Sequence, residues 1–139
     1  MKVVILCGGY GTRIRDVAED LPKPMIPVGN YPIVWHIMKY YATMGHNEFI
    51  LCLGYKSNVI KDYFLNYEAR TNDFSIILGD KDSMEVLNNH NEQNWKITFA
   101  ETGLDSMTGT RIKKIQKYIK PGESFMLTYG DGLSDVDLE

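Results

Sequence analysis

The stretch KVVILCGGYGTR, residues 2–13, decides the fold class, because a buried strand leads directly into a glycine-rich loop. Residues 2–7 form a short, continuous apolar run, which is typical of a strand covered on both faces of a parallel sheet. The glycines that follow let the backbone turn tightly and bring its N–H groups close to a bound group. We therefore expect a strand that ends in a binding loop.

Strand-like and helix-like segments alternate along the rest of the chain. Apolar residues at helical spacing predict helices over residues 32–45, 57–67 and 111–119, with Ser57 or Asn58 as the cap of the second. Buried strands are predicted at Glu48–Leu53 and Phe125–Tyr129, and further strands at residues 74–78, 84–87 and 96–100. This order predicts an α/β fold, a Rossmann-like three-layer sandwich with a mostly parallel sheet, whose ligands bind at the carboxyl ends of the strands.

Composition narrows the class of protein. The 139 residues suffice for one domain with a hydrophobic core, and the net charge of −3 argues against a nucleic-acid partner. Lys113, Lys114 and Lys117 are interpreted as the solvated face of one helix. No apolar run approaches the ~20 residues that span a bilayer, and no basic segment followed by a long apolar stretch marks a signal peptide. We therefore expect no membrane association. Cys7 and Cys52 lie in apolar strands, so we expect buried free thiols, with neither a disulfide nor a metal site, and hence a cytoplasmic location.

The loop Gly8-Gly9-Tyr10-Gly11-Thr12-Arg13 is a candidate phosphate site. Its glycines leave the main-chain N–H groups accessible, Thr12 adds a hydroxyl, and Arg13 adds donors matched to phosphate oxygens. It is not a dinucleotide fingerprint, because Ile14 occupies the position of the third glycine, and it lacks the Gly-Lys-Ser/Thr ending of a P-loop. A tight turn without a ligand is the alternative interpretation.

Two further motifs carry charge. Pro22-Lys23-Pro24 predicts an extended segment that presents Lys23 to the same phosphates, although a lysine between prolines is also common in solvated loops. Tyr129-Gly130-Asp131-Gly132 follows a predicted strand, and its carboxylate between glycines suits a magnesium ion that also binds phosphate oxygens. A simple Asp-Gly turn is the alternative for that motif.

Taken together, these motifs resemble those of the sugar nucleotidyltransferases. Gly-Gly-x-Gly-Thr-Arg followed by Pro-Lys-Pro is the signature that carries the resemblance. Three more stretches, residues 32–39, 54–56 and 102–111, are similar to the glucose-1-phosphate cytidylyltransferases within that family, and Tyr129-Gly130-Asp131-Gly132 also matches. The resemblance covers essentially the whole chain and implies the nucleotidyltransferase fold.

The resemblance also implies roles for individual residues. Main-chain groups of Leu6, Cys7, Gly8, Gly9, Tyr10 and Gly11 would hold the base and phosphates, and Thr12 and Arg13 would contact the triphosphate. Lys23 would act at the reacting centre, so Arg13 and Lys23 are the implied catalytic residues. Ser106, Arg111 and Gly130 would contact the nucleotide or substrate, and Asp131 would hold Mg2+ as the cofactor.

Two departures from the family are visible. Thr110 stands where the cytidylyltransferase motif has a second glycine, which affects the geometry of the base pocket. Members of the family also continue well beyond the Asp-Gly motif. We therefore expect residues 1–139 to be the nucleotide-binding portion of a truncated domain, without the sugar-binding part and its second metal-binding carboxylate.

The function that the resemblance implies is transfer of a nucleotidyl group from CTP to glucose 1-phosphate, giving CDP-glucose and pyrophosphate. Alternatives stay open: UTP or dTTP, another sugar 1-phosphate, or a chain that binds nucleotide or sugar phosphate without turnover. For these 139 residues alone we expect weak nucleotide binding and little transferase activity. We also expect self-association through apolar surface beside the last strand, and the oligomeric state is left open, with a homo-oligomer as one alternative.

Overall fold

Strands and helices alternate in the computed structural model, over the residues that it describes: 1–7, 21–87, 94–103 and 108–130. In chain order the elements are β1 (Lys2–Leu6), a 3₁₀ turn (Lys23–Met25), β2 (Pro27–Val28), β3 (Tyr31–Pro32), α1 (Ile33–Thr43), β4 (Glu48–Leu53), α2 (Ser57–Leu65), α3 (Tyr67–Thr71), β5 (Phe74–Ser75), β6 (Glu85–Val86), β7 (Lys96–Glu101), α4 (Thr108–Lys114), a second 3₁₀ turn (Gln116–Tyr118) and β8 (Phe125–Tyr129). None of the helices within these ranges combines the length and the hydrophobicity needed to cross a bilayer.

β1 lies inside a four-stranded sheet with the order β7-β4-β1-β8. Its Val3 is in register with Phe49 of β4 on one side and with Met126 of β8 on the other. β4 pairs in turn with β7, where Leu51 lies opposite Phe99. All three ladders are parallel, so the predicted α/β fold with a mostly parallel sheet is confirmed. The carboxyl ends of the four strands consequently lie along one edge of the sheet.

Alternate residues of β1 point to opposite faces of the sheet and join two apolar clusters. On one face, Val3 and Ile5 pack with buried residues of α1, α2 and α3, and we call this the α1–α3 face. On the other, Val4 and Leu6 pack with Ile115, which directly follows α4, and we call this the α4 face. The sheet is thus covered on both sides, as a buried parallel sheet requires.

The helix predicted over residues 57–67 differs from the structure at both ends. α2 begins after Lys56, whose φ of 50° is left-handed, and no side chain caps the helix, so the cap predicted at Ser57 or Asn58 was wrong. The helix also stops at Asn66, whose Nδ2 donates to the Asp62 carbonyl oxygen at 2.8 Å. An Asn side chain that bonds the preceding turn offers the backbone an alternative to a continuous helix, which is why α3 starts separately at Tyr67.

Residues 74–87 form a small hairpin instead of the two longer strands that were predicted. Only Phe74 with Val86 and Ser75 with Glu85 are paired, and the pairing is antiparallel. The turn is closed by Ser83, whose Oγ accepts from Ile77 N at 2.8 Å and donates to the Asp80 carbonyl oxygen at 2.8 Å. Local bonds of a serine therefore replace the ladder bonds that a longer hairpin would form.

β8 has the predicted boundaries but is not the buried strand that was predicted. Leu127 is 43% exposed and Tyr129 is 60% exposed. Both are in register with residues of β1 on the α4 face, opposite Val4 and Leu6. Among the described residues, β8 is an edge strand that pairs only with β1. Its Phe125 packs against the cluster on the α4 face, and Leu127 and Tyr129 stay exposed.

Candidate active site

Three hydrogen bonds extend the sheet by one residue at its carboxyl edge. Cys7 N donates to the Cys52 carbonyl oxygen, Thr102 N to that of Leu53, and Gly130 N to that of Leu6, each at 2.9 Å. The ends of β1, β4, β7 and β8 are therefore held side by side where the chain leaves each strand. This is the edge at which parallel sheets of this kind bind ligands.

Gly130 lies too close to β1 for any other residue. A Cβ atom at this position would lie 2.8 Å from Cys7 Sγ, 3.1 Å from Ile5 Cγ2 and 3.3 Å from the Leu6 carbonyl oxygen. The first distance is shorter than real Cβ contacts allow. The atoms that this Cβ would meet belong to buried residues at the end of β1, which cannot move aside without a cost in packing. The glycine therefore allows the end of β8 to approach the point where the glycine loop begins.

Arg111 brings a buried positive charge to the same edge. The side chain is 6% exposed, and its Nη1 donates to Thr102 Oγ1 at 2.8 Å. Thr102 Oγ1 in turn donates to the Leu53 carbonyl oxygen at 2.9 Å, so the threonine links the guanidinium to the end of β4. A guanidinium held in this way has its donors in a fixed plane, and such a planar arrangement suits the oxygens of a phosphate.

Lys114, one turn further along α4, brings a second positive charge close to Thr102. Its Nζ donates to the Thr102 carbonyl oxygen at 3.0 Å. We predicted that Lys113, Lys114 and Lys117 form a solvated helix face, and all three side chains are indeed exposed. Even so, Lys114 reaches back to the carboxyl edge, and sequence reasoning missed this contact.

The two cysteines are free and buried, as predicted. Burial is the main cause that raises the pKa of the Cys52 thiol from 9.0 to about 11, and the charge of nearby Arg111 partly opposes it. Cys52 is consequently a neutral thiol at physiological pH and not a nucleophile. The opposing influence of Arg111 places its charge near the end of β4 on the α4 face.

Lys23 lies on a different segment, on the other side of the sheet. Pro22 is extended, but Lys23 itself belongs to a 3₁₀ turn in which Met25 N donates to the Pro22 carbonyl oxygen at 2.9 Å. The predicted extended conformation of Lys23 was therefore wrong, because a proline early in a helical turn is tolerated. Pro24 and Met25 are buried, and Met25 packs in the same cluster as Cys7, which fixes the turn against the α1–α3 face.

The predicted site residues that the structure describes divide into two groups. Leu6, Cys7, Arg111 and Gly130 lie together along the carboxyl edge, and Lys23 lies on the α1–α3 side. The others lie outside the described residues: Gly8, Gly9, Tyr10, Gly11, Thr12, Arg13, Ser106 and Asp131. In the part of the chain that is described, His, Cys, Asp and Glu side chains form no group of three that could hold a metal ion.

Thr102 is the residue that sequence reasoning missed. It is fully buried, and it connects Arg111, Lys114 and the end of β4 through its hydroxyl and carbonyl oxygens. The available signal was a threonine placed directly after a strand, at the edge where ligands bind. A small polar residue at such a position is a candidate for orienting a charged neighbour.

Comparison with known proteins agrees with the parallel α/β fold. A family model described as "Nucleotidyl transferase" matches residues 2–138. A probable glucose-1-phosphate cytidylyltransferase of Bacillus subtilis is 51% identical over 138 residues, which are 99% of this chain and 53% of that protein. The glucose-1-phosphate cytidylyltransferase of Salmonella typhimurium is 45% identical over the whole chain and again 53% of its own length. The chain thus spans about half the length of these curated relatives.

A solved structure shows the same fold. HddC from Yersinia pseudotuberculosis, in a crystal structure described as complexed with GMP-PN, superposes with a TM-score of 0.63 at 32% sequence identity. The match covers 94% of this chain and 47% of that one. The parallel sheet and the match over nearly all residues lead to one assignment: the chain belongs to the nucleotidyl transferase family.

Proposed function

We propose that this chain supplies the nucleotide-binding part of a sugar-1-phosphate nucleotidyltransferase that joins CTP to glucose 1-phosphate. The products would be CDP-glucose and pyrophosphate. The observation that carries the proposal is the buried Arg111 at the carboxyl edge of the sheet, where a fixed guanidinium suits phosphate oxygens. The choice of CTP and glucose 1-phosphate is supported by relatives of that name at 45–51% identity.

The nucleotide would bind where β1 and β8 end. Leu6 and Cys7 lead into the loop formed by Gly8, Gly9, Tyr10 and Gly11, whose main-chain N–H groups would hold the base and phosphates. Thr12 and Arg13 would contact the triphosphate, and Ser106 and Arg111 would reach the nucleotide from the α4 side. Gly130 would let the end of β8 lie close to this loop, because any side chain there would collide with Cys7.

The reaction needs position and charge neutralisation more than a protein nucleophile. A phosphate oxygen of the sugar phosphate attacks the α-phosphorus of the nucleotide in line. The new phosphorus–oxygen bond forms while the bond to the bridging oxygen of the β-phosphate breaks, and pyrophosphate leaves with that electron pair. Arg13 would stabilise the leaving group and Lys23 would offset charge where the substrates meet, each contributing ~3–4 kcal/mol by analogy with oxyanion-hole donors.

Mg2+ is the cofactor that suits this chemistry, and Asp131 is its proposed ligand. Gly130 leaves the sheet at the carboxyl edge, so the residue after it starts from the proposed nucleotide site. A carboxylate there has the oxygen chemistry that Mg2+ prefers, and nucleotide phosphates commonly complete the shell. When bound, the ion would neutralise charge on the phosphates.

A guanine nucleotide is the second candidate substrate. HddC, at 32% identity over 94% of this chain, was crystallised with GMP-PN. Thr110 also differs from the second glycine of the cytidylyltransferase motif, and it lies next to Arg111 at the start of α4. A change beside the proposed base pocket can alter which base is accepted.

The proposal is tested by measuring the pyrophosphate that the full natural protein releases from nucleoside triphosphates. The assay combines CTP, UTP, GTP, ATP or dTTP with glucose 1-phosphate, mannose 1-phosphate or other sugar phosphates, in Mg2+. We expect CTP with glucose 1-phosphate to give the highest kcat/KM. Equal or better use of another nucleotide contradicts the proposed substrate, and the absence of turnover with binding retained would favour a non-catalytic nucleotide-binding role.

Lys23→Ala tests the proposed division between catalysis and binding. We expect kcat to fall by roughly 10²–10³ with a much smaller change in nucleotide affinity, because Lys23 would offset charge that develops in the transition state. Lys113→Ala, which removes an exposed lysine from α4, is the matched control and should leave kcat unchanged. A raised KM with normal kcat would show that Lys23 only binds.

A further inference from the structure

The last residue of β7 carries a charge that the proposed mechanism does not use. Glu101 ends β7 at the carboxyl edge of the sheet, directly before Thr102. Lys61 Nζ lies 2.6 Å from Glu101 Oε2, and the side chain of Ser57 forms a further hydrogen bond with the same carboxylate. Because Ser57 and Lys61 are four positions apart on α2, they share one face of that helix. Glu101 therefore ties the end of β7 to α2.

Successive residues at this strand end point to opposite faces of the sheet. Phe99 packs with the cluster on the α1–α3 face, and Glu101 continues that row toward α2. Ala100 belongs to the cluster on the α4 face, and Thr102 continues that row toward Arg111. The end of β7 is consequently attached on both faces, to α2 on one and to α4 on the other.

This attachment matters because β7 lies at an edge of the sheet. Among the described residues, β7 pairs with β4 alone. Its last ladder position places Glu101 opposite Leu53, and one more main-chain bond follows, from Thr102 N to the Leu53 carbonyl oxygen. A strand end with few neighbours opens more readily than the interior of a sheet. A side-chain tether at Glu101 therefore limits how far the main chain of Thr102 moves.

The position of Thr102 in turn determines that of two positive charges. Arg111 Nη1 donates to the threonine hydroxyl at 2.8 Å, and Lys114 Nζ donates to its carbonyl oxygen at 3.0 Å. If the end of β7 shifted, the partners of both cations would shift with it. Small displacements of a group that positions a substrate can weaken its action even when no direct contact has been removed.

We propose that Glu101 is a positioning residue for nucleotide binding, which acts through Thr102 on Arg111. The inference rests on the proposed function, because Arg111 must contact the nucleotide for Glu101 to act in this way. The hydrogen bond with Lys61 is the main cause that lowers the pKa of Glu101, so the carboxylate is charged at neutral pH. α2 supplies none of the predicted site residues, and it would contribute to nucleotide affinity through this ion pair.

The test measures the affinity of the full natural protein for CTP by calorimetry, without sugar phosphate. Glu101→Gln should weaken binding by roughly 2–5-fold, because a partly exposed ion pair stabilises one arrangement only modestly. Lys61→Glu, which brings two carboxylates together, should weaken binding by roughly 10-fold, and adding Glu101→Lys to the same chain should restore most of the affinity.

An ion pair at the opposite edge of the sheet provides the matched control. Lys2 Nζ lies 3.2 Å from Glu123 Oε1 at the amino end of β1, so Glu123→Gln removes the same kind of charge far from the proposed site. It should bind CTP as the wild type does. Thermal unfolding of Glu123→Gln and Glu101→Gln should shift by similar small amounts, so that a loss of affinity confined to Glu101→Gln does not arise from stability.

The Arg111→Ala background separates this inference from the proposed function. Arg111→Ala should itself weaken CTP binding, and Glu101→Gln should then have no further effect, because the residue through which it acts is gone. Normal affinity of Glu101→Gln in the otherwise wild-type protein, or its full effect in the Arg111→Ala background, would overturn the inference and leave the proposed function intact. Normal CTP binding by Arg111→Ala would overturn both. If Arg111→Ala fails to fold, the exchange of Lys61 and Glu101 still decides, since failure to restore affinity contradicts the inference.

Discussion

The α1–α3 face and the α4 face of the sheet differ in how much chain covers them. Among the described residues, the cluster on the α1–α3 face contains fifteen buried side chains and the cluster on the α4 face contains six. Three helices cover the first face. Within the ranges that the structure describes, one short helix and a 3₁₀ turn lie over the second, and Leu127 and Tyr129 of β8 are exposed.

We expect this difference to separate most residues that stabilise the fold from the residues of the α4 face that would contact the nucleotide. The α1–α3 face is the scaffold that holds the strands in register and fixes the 3₁₀ turn of Lys23. The thinner α4 face brings charged groups to the carboxyl edge, because Arg111 and Lys114 come from the helix that covers it. We expect substitutions on the first face to lower the free energy of unfolding most, and substitutions on the second to affect nucleotide binding as well.

The largest loss of stability is expected from Met38→Ala on the α1–α3 face. Met38 is completely buried in α1, and removing its side chain should lower the free energy of unfolding by about 2–5 kcal/mol through lost burial and a cavity. Met44→Ala, at the exposed end of the same helix, should change it by less than about 0.5 kcal/mol. Denaturant unfolding of both variants measures the difference, and similar values would mean that the face is not the main core.

A pH dependence is expected from Cys52 on the α4 face. Burial raises the pKa of this thiol from 9.0 to about 11, so the folded state keeps a proton that the unfolded state loses first. The contribution is therefore fully present below pH 9 and is lost as the pH rises to 11, by about 2–3 kcal/mol. The difference in unfolding free energy between wild type and Cys52→Ala should change over this range, and a constant difference would contradict the prediction.

Thr102→Val should affect both stability and binding. The substitution keeps the shape but removes the acceptor of Arg111 Nη1 and the donor to the Leu53 carbonyl oxygen, at a cost of about 1–3 kcal/mol. Because the guanidinium loses its orientation, nucleotide affinity should also fall, as measured by calorimetry. Thr102→Ser keeps the hydroxyl and should retain both properties; equal behaviour of the two variants would exclude a role for the hydrogen bonds.

The smallest effect is expected from a matched pair of Ile→Val substitutions. Ile60 of α2 and Ile115 after α4 are both fully buried, on the α1–α3 face and the α4 face respectively. Each should cost about 0.5–1.5 kcal/mol, with Ile115→Val at the lower end because a short covering helix can relax into the space. A larger loss at Ile115 in thermal or denaturant unfolding would show that the α4 face is packed as rigidly as the other.

Sequence reasoning predicted the scaffold best where one physical signal dominated. The apolar runs of β1 and β4 and the helical spacing of α1 gave boundaries within a residue or two. It failed where a single side chain decided the backbone, as at Asn66, which divides α2 from α3. It also failed for β8, because an apolar strand sequence does not tell which neighbours cover the strand.

At the candidate site, motifs predicted which residues matter better than how they are arranged. Arg111 was predicted as a nucleotide contact, and its burial at the carboxyl edge is compatible with that role, which stays a prediction. The link through Thr102 was missed, because it joins residues that are distant in sequence. The turn of Lys23 differs from the extended segment that two flanking prolines suggested, since the Pro22 carbonyl oxygen accepts a bond from Met25.

The position of β1 inside the sheet has a consequence for the order in which the protein can fold during its synthesis. β1 is made before its partner β8, which begins at position 125, roughly 120 residues after position 2. Closing so long a loop is entropically costly. At about 5–20 residues per second, the ribosome needs roughly 6–24 s to deliver that partner. Until then one edge of the strand KVVIL has only solvent or other chains to pair with, so a nascent chain must be protected longest at its first strand.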